Sequence, residues 1–103
     1  MPSYTQFSTP ALRNLVHLPD YTCTTSFATV LNPRVLPERR VIVIIQNKDA
    51  SASLEVIFNE DSAGGYGLMI PPKQTISLDN YNGTVWLRSD TNGSIAHIAY
   101  GSV

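Results

Sequence analysis

Arg39-Arg40-Val41-Ile42-Val43-Ile44-Ile45-Gln46-Asn47 decides the fold. Five consecutive Val and Ile residues keep their χ1 preference in a strand and pack well on a pleated surface, so this is the central β-strand. It lies between the Pro-bearing Leu36-Pro37-Glu38 and the polar turn Lys48-Asp49-Ala50-Ser51. Strand side chains alternate faces, which puts Val41, Val43 and Ile45 on one side and Ile42 and Ile44 on the other. Both faces are apolar. Such a strand needs cover on both sides, from a second sheet on one and from an arm, a helix or another subunit on the other.

Downstream, the punctuation is that of an antiparallel β protein. Ser53 to Asn59 alternates Leu54, Val56 and Phe58 against Ser53, Glu55 and Asn59, the mark of a half-buried strand. A glycine-bearing loop, Glu60 to Gly67, leads to Leu68 to Ile70, which stops at Pro71-Pro72. Gln74 to Leu78, Thr84 to Ser89 and Ser94 to Tyr100 follow, separated by turns at Asp79 to Gly83 and Asp90 to Gly93. Asn82-Gly83-Thr84 and Asn92-Gly93-Ser94 read as hairpin turns with positive φ at both central residues rather than as glycosylation acceptors. Short strands at this spacing, with no helical period after residue 39, predict an all-β antiparallel sandwich of jelly-roll or immunoglobulin-like type.

The front of the chain differs. Pro2, Pro10, Pro19, Pro33 and Pro37 exclude long regular structure there. We read residues 1–20 as an extended N-terminal arm and residues 21–103 as one sandwich domain, with Tyr21 to Leu31 as an edge strand. Leu12 to Leu18 suits a helical turn or a short strand. The arm keeps Tyr4, Phe7, Leu12, Leu15, Val16 and Leu18, too apolar for a disordered tail. They need a surface, their own sheet or a neighbour's.

Charge and composition narrow the function. The net charge of −1 hides a front of +2, from Arg13, Arg34, Arg39 and Arg40 against Asp20 and Glu38, and a body of −3. That asymmetry suits attraction between copies or toward an acidic neighbour. It lacks the Lys/Arg stripe with interleaved aromatics that a nucleic-acid reader needs. No apolar run approaches the ~18 residues of a membrane span, and no secretory signal opens the chain, so a soluble product of a cytoplasm is expected. One cysteine, Cys23, forbids an internal disulfide and reads as a small buried hydrophobe. His17 and His97 lie far from metal-ligand spacing, and Glu55, Glu60, Asp61, Asp79 and Asp90 form no acid pair with supporting pattern. We therefore expect no catalytic, cofactor-binding or metal-ligating residue, and no enzyme.

Trp86 falls on the face opposite Val85 and Leu87, which makes it a contact residue. With Tyr66, Tyr81 and Tyr100 it raises a sugar-stacking platform as an alternative.

Arg40 to Asn47, Leu54 to Phe58, the corner Gly67-Leu68-Met69-Ile70-Pro71, Thr84-Val85-Trp86-Leu87 and a last strand closing on Tyr100-Gly101 resemble small β-sandwich virion structural proteins of tailed bacteriophages. The likeness covers about residues 39 to 101 and departs from that pattern at Lys73, where the corner usually carries Gly. It implies a decoration (cement) or minor capsid protein on the head, made in the host cytoplasm and found in the virion. Its partners would be other virion subunits, above all the major capsid protein; the two-faced apolar central strand and the small core separately point to a homo-oligomer, with a trimer as one form. Neither nucleic acid nor membrane is implied. A connector or tail-associated adaptor is the second choice, and a carbohydrate-binding module the third. The contact residues expected are Phe7, Leu12, Leu15, Val16, Leu18, Tyr66 and Trp86.

Overall fold

The structure, a computed structural model, describes residues 14–33, 40–59 and 67–102. Among them are nine strands and no helix: β1 (Asn14–His17), β2 (Tyr21–Thr22), β3 (Ala28–Leu31), β4 (Arg40–Asn47), β5 (Leu54–Phe58), β6 (Leu68–Ile70), β7 (Thr75–Asp79), β8 (Val85–Ser89) and β9 (Ile95–Ser102). They form two antiparallel sheets, the all-β sandwich expected from the alternation. Sheet A runs β1-β9-β4-β7, with β2 also on β9; sheet B runs β3-β8-β5-β6. The central stretch is β4, flanked by β7 and β9.

Its alternation is used as predicted on the inner side. Val43 and Ile45 are fully buried, against Leu54 and Val56 of β5 and Val85 and Leu87 of β8 in the facing sheet. Ile42 and Ile44 point outward and stay half-buried. A β-bulge between Arg40 and Ile42 shifts the register against β9 at Val41.

Both ends of β4 are pinned by buried polar side chains. Arg40 is 1% exposed; its guanidinium donates to the carbonyls of Asn32 and Gly83 and lies 5.8 Å from the centre of the Tyr100 ring. Asn47 is buried completely and donates from Nδ2 to the carbonyls of Ala52 (2.8 Å) and Ile70 (3.0 Å), while its Oδ1 accepts from the Asp49 amide. Both side chains therefore keep hydrogen-bond partners in the core, Arg40 through its two terminal nitrogens.

Two expectations are corrected. Tyr21 to Leu31 is two strands in different sheets: β2 lies on β9, and β3 lies on β8. The break falls at Cys23, which is fully buried and whose backbone binds Ser94 and Gly93, so the chain dips through the core edge between layers. The Asn-Gly turns are also not hairpins. β7 and β9 belong to sheet A and β8 to sheet B, so both turns carry the chain across the sandwich. Among the described residues positive φ occurs only at Lys73, Asn80 and Gly93, because a layer crossing does not need the paired left-handed residues of a two-residue hairpin. Lys73 (φ 65°) occupies the third position of the turn closed by the Gln74 amide on the Pro71 carbonyl, where positive φ defines type II.

Candidate interaction surfaces

The segment read as an arm enters sheet A. Asn14–His17 forms β1 and pairs with Ser102 to Ala99 of β9; the Leu18 amide extends the ladder to the Ile98 carbonyl at 2.9 Å. Alternation then divides the apolar residues. Val16 and Leu18 pack against the core, whereas Leu15 remains 50% exposed on the outer face. Across that face Leu15 is followed by Gly101 and Ile42, and His17 by Ala99 and Ile44. Small residues on β9 thus leave a shallow apolar strip bounded by Leu15 and the two isoleucines.

At the end of this strip His17, His97, Asp20 and Lys48 form a hydrogen-bonded chain. His97 Nδ1 lies 3.1 Å from Asp20 Oδ1, and Asp20 Oδ2 lies 2.8 Å from Lys48 Nζ. A carboxylate only accepts, so His97 Nδ1 carries a proton; its Nε2 shares a hydrogen bond of 2.9 Å with His17 Nδ1. The ring centres are 5.1 Å apart, so the bonded nitrogens lie near the line joining them and the contact is an N–H···N bond rather than a face-to-face stack. The Lys48 ammonium, followed by His97, holds the Asp20 carboxyl below its usual range. This clasp closes the β1 edge. Local spacing holds no sign of it, since His17 and His97 are 80 residues apart. Among the described residues no three or more His, Cys, Asp or Glu side chains converge as a metal site.

The opposite side of the sandwich carries β6, the end strand of sheet B, with Leu68 59% and Met69 56% exposed. With Leu15 these are the exposed large hydrophobic residues among those described. Met69 borders a surface depression of about 250 Å³ that also includes Thr25, Glu55, Arg88 and Asp90. Within it Arg88 bonds Glu55 (Nε to Oε1 2.8 Å) and sits 4.3 Å from the Phe27 ring centre. Glu55 Oε2 accepts from the Gly67 amide at 2.9 Å; that bond, then Arg88, lowers the Glu55 carboxyl below its usual range.

Trp86 stands on the outer face of sheet B beside Thr29 and Ile57, half-buried, with Nε1 donating to the Asn59 carbonyl. Tyr81 and Tyr100 do not join it. Tyr100 is a core residue beneath Arg40, and Tyr81 packs edge-on against Phe58 with its hydroxyl on the Thr84 carbonyl. Phe7, Leu12 and Tyr66 lie outside the described residues.

No protein-family model and no curated protein matches the chain. Its fold is similar to that of a solved chain described under "Bacillus endospore appendages form a novel family of disulfide-linked pili". The TM-score is 0.55 at 10% identity, over 99% of this chain and 100% of that one.

Proposed function

We propose that the chain is a non-enzymatic structural subunit of a multi-subunit assembly. The observation that carries this reading is the placement of the exposed hydrophobic residues. Leu15 marks one lateral edge of the sandwich and Leu68 with Met69 the other. A subunit with apolar contacts on two opposed edges suits head-to-tail association, which builds rings or filaments. The likeness in fold to a pilus chain supports the same class of role.

Within that class, a decoration or minor capsid protein of a phage head remains our finer proposal, resting on the strand texture from Arg40 to Gly101. In it the outer strip around Leu15 buries apolar area on the major capsid protein, at about 25 cal/mol per Å² before association costs. Contacts between copies are non-covalent here, in contrast to the disulfide-linked pili. Cys23 is the chain's single cysteine, is fully buried, and has its thiol pushed up to about 11 by burial.

Light scattering over a dilution series, repeated with Leu15→Asp and with Leu68→Asp, tests the reading. A native mass above the 11.3 kDa monomer that falls in either variant supports it. A monomer that also fails to bind assembled capsid shells would overturn it. The sugar-binding alternative requires a saturable change in Trp86 fluorescence with glycans.

A further inference from the structure

We infer that the outer edge of β7 is a docking slot for a β-strand, and that its occupant is the segment Ser3–Thr9 of a second copy of this chain. The inference rests on the assembly reading above and names the contact that makes it.

Of the four lateral edges formed by the described residues, three carry features that obstruct pairing. The β1/β2 edge is broken at Pro19 and closed by the His17–His97–Asp20–Lys48 clasp. β3 has a register shift between Thr29 and Leu31 and is followed closely by Pro33. β6 has only three residues and runs into Pro71-Pro72. β7 has five residues in continuous register with β4, from Gln46↔Thr75 to Ile42↔Asp79, with no Pro, Lys or bulge. An uninterrupted, unguarded edge is a template for another strand.

The ladder's phase shows which groups are on offer. The Asn47 amide bonds the Gln74 carbonyl (2.9 Å) and the Asn80 amide bonds the Val41 carbonyl (2.7 Å), in step with the pairs Val43↔Leu78 and Ile45↔Ile76. Residues 74, 76, 78 and 80 therefore direct their backbone groups at β4. Thr75, Ser77 and Asp79 turn their N–H and C=O groups to the outer edge, which no described strand covers.

Among the described residues the same side also lacks apolar cover. β6 and β7 end their sheets there, joined by the turn at 71–74. Leu68 shares the inward face of sheet B with Val56 and Ile70, both fully buried, yet it is 59% exposed itself. Ile76 and Leu78 are only half-buried. A strand added outside β7 with one large inward side chain would cover this mouth.

Ser3-Tyr4-Thr5-Gln6-Phe7-Ser8-Thr9 fits that description. It is an uncharged run of aromatic, Thr, Ser and Gln residues bounded by Pro2 and Pro10, and Thr5, Phe7 and Thr9 share one face at strand spacing. Phe7 supplies the apolar group. The chain's own slot cannot seat the whole segment: it lies four strand spacings from β1, about 19 Å, before any path around the sheet is added. The five residue steps from Thr9 to Asn14 span at most about 18 Å at full extension. A neighbouring copy beside β1 has no such restriction.

The test uses the full chain. Ser77→Pro removes an amide that faces the open edge and leaves the β4 ladder intact. It is expected to lower the native mass to that of the monomer, or to raise the dissociation constant at least tenfold, with far-UV circular dichroism unchanged. Should Ser77→Pro fail to fold, Thr75→Lys with Ser77→Lys guards the edge by charge and carries the same expectation. In a mixture of the single variants Gln6→Cys and Ser77→Cys, oxidation should link one copy of each. An oligomer unaffected by both edge variants would overturn the slot while leaving assembly through another surface intact. A monomer at every concentration would overturn the slot and leave only assembly on a foreign partner.

Discussion

The Asn47 side-chain Nδ2 donates to the Ile70 carbonyl at 3.0 Å, from the end of β4 in one sheet to the end of β6 in the other. The same Nδ2 reaches the Ala52 carbonyl, so one side chain ties the β4–β5 turn and both layers together in a site without solvent. Replacing it with Ala removes both bonds and strands two carbonyls. Asn47→Ala is expected to cost about 2–4 kcal/mol in urea unfolding, with Asn47→Asp no better, because a carboxylate has no proton to donate.

Leu15 tests function without testing the core. Its side chain is half exposed on an edge strand while Val16, next to it, packs inward. Leu15→Asp should change stability by no more than about 0.5 kcal/mol, whereas Val16→Ala should cost about 1 kcal/mol. Loss of association in the first and its retention in the second, read by light scattering and melting temperature together, would identify the outer strip as a contact.

Glu55 contributes stability with a definite pH dependence. The Gly67 amide and then Arg88 lower its carboxyl below the usual 4.5. A depressed folded value means the unfolded chain binds the proton more readily, so the stabilisation is complete above about pH 4.5 and withdrawn as pH falls through the lower folded value. Glu55→Gln should flatten that part of the acid-unfolding profile. Gly67→Ala should also destabilise, because an added Cβ would stand 2.6 Å from the Val56 carbonyl oxygen and from Glu55 Cγ; about 1–3 kcal/mol is expected.

Cys23 should be inert in the folded protein. Burial raises its thiol to about 11 and leaves no exposed sulfur. A thiol-reactive chromophore at pH 8 should label it only as fast as the chain opens, and fully in denaturant. Prompt labelling of the native protein would mean the 22–27 crossing opens readily.

Much of this was legible in the residues themselves. The period of two from Arg40 to Asn47 and from Leu54 to Phe58 determined the strands, their inward faces and the class of fold, because pleated backbone and apolar burial act within a few residues. Trp86, opposite in phase to Val85 and Leu87, was assigned to the outer face for the same reason. Alternation carries no information on which sheet a strand joins. The Asn82-Gly83 and Asn92-Gly93 turns therefore looked like hairpins, and only the packing of two layers made them crossings. Tyr21 to Leu31 kept one alternation throughout, yet the burial of Cys23 split it between sheets. His17 and His97 became partners because β1 and β9 pair. Likewise, Leu68 was left exposed and the edge of β7 open because those strands end their sheets. Such neighbours are set by contacts between segments far apart in the chain, which local pattern does not encode.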